Sequence, residues 1–167
     1  MANIAKVMSH TPLRPGVYAP TMTFFNPETE ELGPATIRRH AVRLGKAGLV
    51  GLVTMGSNGE AAHLTRAERK VVNHETRSAL VEAGFANVPV RAGASEQSIH
   101  GTIELCHESS DTGAEYALVL PPSYYRTAVG NDETSTSSSR LSRTLHPSPS
   151  SCIITRVLWP ASTWTQT

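Results

Sequence analysis

The sequence predicts an α/β fold in which parallel strands are joined by crossover helices, and three observations carry that reading. Short β-rich apolar runs occupy residues 17–19, 49–55, 88–92 and 116–120. Their onsets lie about 30 to 40 residues apart, the length of one βα unit and too long for a hairpin. Helical periodicity fills the gaps between them, which is the strand–helix alternation of a parallel sheet.

The first strand, residues 17–19, follows a short arm of residues 1–15. In the helix after it, Ile37, Ala41, Leu44 and Gly48 recur at helical spacing. Arg38, Arg39, Arg43 and Lys46 share the other face, so this helix is expected to lie on the sheet with its cations in water. The second helix has a defined start. Thr65 followed by Glu68 fits a capping box, and the helical pattern then runs over residues 66–83. The third helix, residues 98–110, carries Ile99, Ile103 and Cys106 on one stripe and meets Gly113, a residue suited to a left-handed stop. A fourth strand follows.

After Arg126 the pattern ends. Residues 131–167 hold 16 Ser or Thr among 37, a composition that buries too little apolar area to offset chain ordering. This segment is expected to be a disordered tail, with a Ser/Thr-rich interaction segment as the alternative. The division is therefore an arm at 1–15, an ordered unit at 16–130 and a tail at 131–167.

Composition narrows the function. With 15 Lys+Arg against 14 Asp+Glu the chain has a formal charge of +1, which points away from nucleic acid and from anionic membranes. No apolar run approaches the ~18 residues of a spanning helix, and residues 1–16 show no secretory signal pattern. Two cysteines, Cys106 and Cys152, do not make a disulfide scaffold. A cytoplasmic location is expected, with a weak transit peptide as the alternative.

Two loops concentrate the chemistry. Gly56-Ser57-Asn58-Gly59-Glu60 comes directly after the second strand, at the end where parallel α/β folds bind ligands. Its glycines permit a tight turn, and Ser57 and Asn58 offer a hydroxyl and an amide to a carboxylate; the rival reading is a plain polar turn. It is no phosphate cradle, since a P-loop has Lys and Ser or Thr after its second Gly and here Glu60 follows. The second loop, Pro121-Pro122-Ser123-Tyr124-Tyr125-Arg126, follows the fourth strand, where a phenol can pass a proton or simply sit as a rim aromatic. Elsewhere the polar residues are bland. His63 reads as a solvated loop residue, and His74, His100 and His107 lack a His-Glu-x-x-His arrangement, so no metal site and no cofactor are expected. Glu28, Glu30 and Glu31 read as a solvated loop, and Glu60 as a residue that ties down its own turn.

Taken in order, Gly16-Val17-Tyr18-Ala19-Pro20-Thr21-Met22-Thr23-Phe24-Phe25, the Gly56–Glu60 loop leading into Leu64-Thr65-x-x-Glu68-Arg69, and Pro122-Ser123-Tyr124-Tyr125 resemble the dihydrodipicolinate synthase / N-acetylneuraminate lyase family. The resemblance covers residues 16 to about 126. It implies a (β/α)₈ barrel, usually a homotetramer, whose members attach pyruvate or another 2-oxo acid to a lysine as a Schiff base and then make or break a carbon bond. Carried over by motif, Ser57 and Asn58 would hold the carboxylate with help from the Gly59 N–H, and Tyr124, rather than Tyr125, would be the relay tyrosine. Many synthases have two threonines where Ser57 and Asn58 stand, so the pair looks closer to the 4-hydroxy-2-oxoglutarate aldolase branch than to 4-hydroxy-tetrahydrodipicolinate synthase.

One element is missing. The chain has three lysines, Lys6, Lys46 and Lys70, and none follows a predicted strand. The family's lysine comes from the sixth strand, beyond the four βα units seen here. The expectation is a partial TIM (β/α)₈ barrel, its catalytic lysine absent and its tail read from a wrong frame or an intron. The alternative is a non-catalytic chain that associates with intact paralogues or has no stable function.

Overall fold

The computed structural model describes residues 13–120. Strands β1 (Tyr18–Pro20), β2 (Gly51–Thr54), β3 (Val90–Gly93) and β4 (Tyr116–Leu118) form one sheet in the order β1-β2-β3-β4, with every neighbouring pair parallel. Helices α1 (Pro34–Lys46), α2 (Arg66–Glu82) and α3 (Ile99–Asp111) make the crossovers. Four strands and three crossover helices of the expected partial (β/α)₈ barrel are therefore present among the described residues, each strand within two or three residues of its predicted span. The expected arm at 1–15 lies outside the described residues except for its last three, and the tail at 131–167 lies wholly outside them.

The register sorts the side chains. Leu52 pairs with Val90, and Ala92 with Ala117, on the helix-facing side. Leu52, Val90 and Ala92 are fully buried there beneath Ala41, Ala79 and Leu80. Apolar area removed from water at ~25 cal/mol per Å² makes this layer the main source of stability. On the opposite side the register aligns Val53, Arg91 and Tyr116, and the Arg91 guanidinium lies 5.8 Å from the centre of the Tyr18 ring. Pro20 is exposed on this face, and Val53 and Leu118 are half-buried. A closed barrel covers such a face with the remaining strands.

The helix ends follow local chemistry. Thr65 and Glu68 form the predicted capping box: the Glu68 N–H donates to Thr65 Oγ1 at 3.3 Å, and Glu68 Oε2 accepts from the Thr65 N–H at 2.7 Å. The Thr65 hydroxyl, which donates to Glu68 Oε2 at 2.7 Å, and then the Thr65 N–H hold the Glu68 carboxyl below its ordinary range. Ser98 caps α3 by accepting from the Gly101 N–H at 3.0 Å, and Gly113 takes the expected positive φ of 96° beyond its end.

Two expectations for α1 are corrected. Arg38 is not merely solvated: it donates to Glu75 at 2.9 Å and also pairs with Glu82, tying α1 to α2. The buried glycine is Gly45, not Gly48. A Cβ on Gly45 would stand 2.9 Å from the Phe85 ring, whereas Gly48 is exposed beyond the helix at φ +77° with open space around it. Side-chain volume across the helix interface, not helical period, selects Gly45.

His40 on α1 packs edge-on against Phe24, with ring centres 5.1 Å apart, and its buried Nε2 has no hydrogen-bond partner among the described residues. Burial, aided by the Arg43 charge, pushes its pKa down. The folded state thus disfavours the imidazolium, while the unfolded chain protonates near ~6.5. Stability is full above that value and falls as pH drops through it toward the lower folded value. We expect the melting temperature to decline between about pH 7 and pH 5.5, before carboxylates titrate. His40→Phe should flatten that decline; an unchanged slope refutes the assignment.

Candidate functional site

The carboxyl ends of the four strands form one rim, and the predicted turn sits on it. Thr54 ends β2 with its side chain on the helix side, where its hydroxyl meets Asn73 Oδ1 at 2.7 Å in a buried contact. Met55 then takes a left-handed conformation, φ 56°, and this turns its carbonyl across β3. The neighbour that admits it is Gly93, where a Cβ would stand 1.9 Å from the Met55 oxygen. The resulting bend starts a 3₁₀ turn at Ser57–Gly59, closed by Gly59 N–H to Gly56 O at 3.0 Å and Glu60 N–H to Ser57 O at 3.1 Å. A second turn, Ala61–His63, leads to the capped start of α2, and Arg69 Nη2 donates to the Ala61 carbonyl at 2.6 Å.

Ser57 and Asn58 are exposed on the first turn, and their side chains have no hydrogen-bond partner among the described residues. Gly59 is buried. Its N–H, expected to assist a bound carboxylate, already donates inside the turn, because a 3₁₀ turn closes on the residue three positions back. Its carbonyl accepts from Thr23 Oγ1 at 2.6 Å, a buried bond across 36 residues. Between the segments that follow β3 and β4, the Ser95 hydroxyl accepts from the Leu120 N–H at 2.8 Å. Tyr124 lies outside the described residues.

The other candidates behave differently from one another. Glu60 closes its turn through its main chain, at φ 53°, while its carboxylate reaches only His63 Nδ1 at 3.4 Å. The His63 side chain is 74% exposed. Glu28, Glu30 and Glu31 are exposed on the loop before α1. Lys46 lies at the end of α1, and Lys70 on α2 pairs with Glu108 at 3.1 Å, so neither described lysine extends from a strand end into the rim. Among the described residues no three His, Cys, Asp or Glu side chains gather closely enough to hold a metal ion. No helix there is long and apolar enough to cross a membrane.

Sequence reasoning missed Thr23, Gly93 and Asn73 as supports of the turn. A Thr three residues past the first strand and a Gly ending the third strand were the only signals, and neither names its partner.

The rim geometry can be compared with known proteins. The dihydrodipicolinate synthetase family matches residues 15–133. The chain belongs to this family. Within it, the L-threo-3-deoxy-hexylosonate aldolase of Aspergillus niger is 79% identical over 127 residues, covering 76% of this chain and 38% of that protein. A probable mitochondrial 4-hydroxy-2-oxoglutarate aldolase of Emericella nidulans is 46% identical over 124 residues, covering 74% of this chain and 40% of that one. The crystal structure of a putative dihydrodipicolinate synthase family protein from Coccidioides immitis superposes with a TM-score of 0.72 at 31% identity, over 85% of this chain and 43% of that one. The chain thus spans less than half the length of these family members. Placed in the family fold, β1 to β4 are the first four strands of a (β/α)₈ barrel.

Proposed function

We propose that this chain supplies the 2-oxo-acid carboxylate site of a class I aldolase. In this reading Ser57 and Asn58 hold the carboxylate of pyruvate or a related 2-oxo acid, Tyr124 relays a proton during the Schiff-base steps, and the lysine comes from barrel strands outside this sequence. The observation that carries it is the exposed Ser57–Asn58 pair, whose side chains have no hydrogen-bond partner among the described residues, on a turn anchored at the carboxyl end of β2. An uncharged hydroxyl and amide suit a carboxylate, because hydrogen bonds to a charged group contribute about 1.5–3 kcal/mol each. The Ser-Asn pair and the names of the A. niger and E. nidulans relatives favour carbon–carbon cleavage of a 2-oxo acid bearing a hydroxyl over dipicolinate synthesis. Assembly as a tetramer and a cytosolic location belong to the same proposal, with the mitochondrial matrix as the alternative that the E. nidulans name carries.

The test is reconstitution. The chain is co-expressed with the part of the A. niger relative that it does not match, and pyruvate is trapped with borohydride. A covalent adduct on the added segment is expected. Ser57→Ala and Asn58→Ala should each raise the pyruvate concentration for half-maximal trapping roughly tenfold, the equivalent of one lost charge-assisted hydrogen bond. An adduct that forms equally well in both variants refutes the assignment.

A further inference from the structure

We propose that Thr23 is a positioning residue for the 2-oxo-acid site: its buried hydroxyl, bonded to the Gly59 carbonyl at 2.6 Å, sets where the turn presents Ser57 and Asn58. The proposal rests on the reading that those two side chains hold the carboxylate.

The exposed side chains of Ser57 and Asn58 make no hydrogen bond to another described group, so their placement is set chiefly by the backbone of their turn. That backbone uses its own N–H groups at Gly59 and Glu60 to close the turn, and this leaves the Gly59 carbonyl to be satisfied from outside. Thr23 does so. Arg69 holds the following turn through the Ala61 carbonyl, which leaves Thr23 as the side-chain tether of the first turn among the described residues.

A tether positions only if it is itself fixed, and Thr23 is fixed on both sides. Before it, the Thr21 N–H extends the β1–β2 ladder by donating to the Val53 carbonyl at 2.9 Å. After it, the Phe24 carbonyl accepts from the Gly33 N–H at 2.7 Å, and Phe25 bridges to Leu32 in antiparallel fashion. The approach is also close: Gly59 is buried, and a Cβ there would stand 3.3 Å from the Thr21 carbonyl. Thr23 therefore does not touch the 2-oxo acid in this reading; it acts through the turn. Displacing hydrogen-bonding groups by even a fraction of an ångström weakens a bound anion, because such bonds depend steeply on distance and angle.

The experiment uses the reconstituted pair and three variants, Thr23→Val, Thr23→Ser and Asn58→Ala. Valine keeps the volume and removes the donor; serine keeps the donor. For Thr23→Val we expect a roughly tenfold rise in half-saturating pyruvate with the maximal trapping rate within about twofold of the parent, the split expected when ground-state placement alone is lost. Thr23→Ser should restore the parent value. Amide exchange should quicken at Gly59 and Glu60 in Thr23→Val while Leu52 and Val90 stay protected. Half-saturation unchanged in Thr23→Val but raised in Asn58→Ala overturns the role of Thr23 and leaves the site reading intact. No effect of Asn58→Ala overturns the site reading and the Thr23 role with it. Loss of protection across the whole sheet in Thr23→Val, or failure of Thr23→Ser to restore binding, shows a general structural residue and overturns the proposal.

Discussion

Gly93→Ala should destabilise the chain more than any other single methyl addition in the sheet, by about 3 kcal/mol or more. Overpacking a core commonly costs about 1–3 kcal/mol because neighbours yield by shifting rotamers. Here the obstacle is main chain. The added Cβ would stand 1.9 Å from the Met55 oxygen and 2.7 Å from its carbonyl carbon, so β2 and β3 would have to part. Met55 has little freedom to retreat. Its φ of 56° already places a non-glycine residue in the left-handed region, and its side chain is buried with Ile37, Leu64 and Val72. Domain stabilities of about 5–15 kcal/mol leave a four-stranded sheet little reserve against such a loss. The midpoint of urea unfolding, taken with an unchanged slope, measures it. A Gly93→Ala chain within about 0.5 kcal/mol of the parent, the range of an ordinary surface substitution, shows that the Met55 carbonyl does not hold this position.

The second large effect is all-or-none. With pyruvate and borohydride, the chain alone is expected to give no covalent adduct, and the reconstituted pair to give one on the added segment. A Schiff-base lysine needs a desolvated amine facing the bound ketone. Lys46 ends α1 in the outer layer, and the Lys70 ammonium lies against the Glu108 carboxylate on the α2–α3 side. Intact-mass analysis decides the matter. An adduct on the unpaired chain, mapped to Lys46 or Lys70, would overturn the assignment of the nucleophile to strands outside this sequence; mapped to Lys6, it would do the same from outside the described residues.

Features of the fold that rest on residues close in sequence were legible in advance. Thr65 and Glu68 are three positions apart, so the capping box could be read directly, and Gly113 could be recognised as a helix stop because only local φ/ψ preference is involved. The Ser57–Asn58 turn was found in the same way, from glycine spacing after an apolar run. Arg38 shows where this ends. Its charge placed it on the polar face of α1, but Glu75 and Glu82 lie 37 and 44 residues further on, and only the packing of α1 on α2 brings them into reach.

The sequence by itself determined the βα order, the limits of α2 and α3 to within a residue, the turn at the end of β2 and the family kinship, because periodicity, capping and turn chemistry act within a few residues. The tertiary structure alone decided that Gly59 gives its N–H to its own turn and its carbonyl to Thr23, that Gly45 rather than Gly48 lets two helices meet, and that Gly93 makes room for Met55. These depend on volume exclusion and on a side-chain-to-backbone hydrogen bond between segments brought side by side by parallel strand pairing, and parallel strands are separated in the chain by an entire crossover.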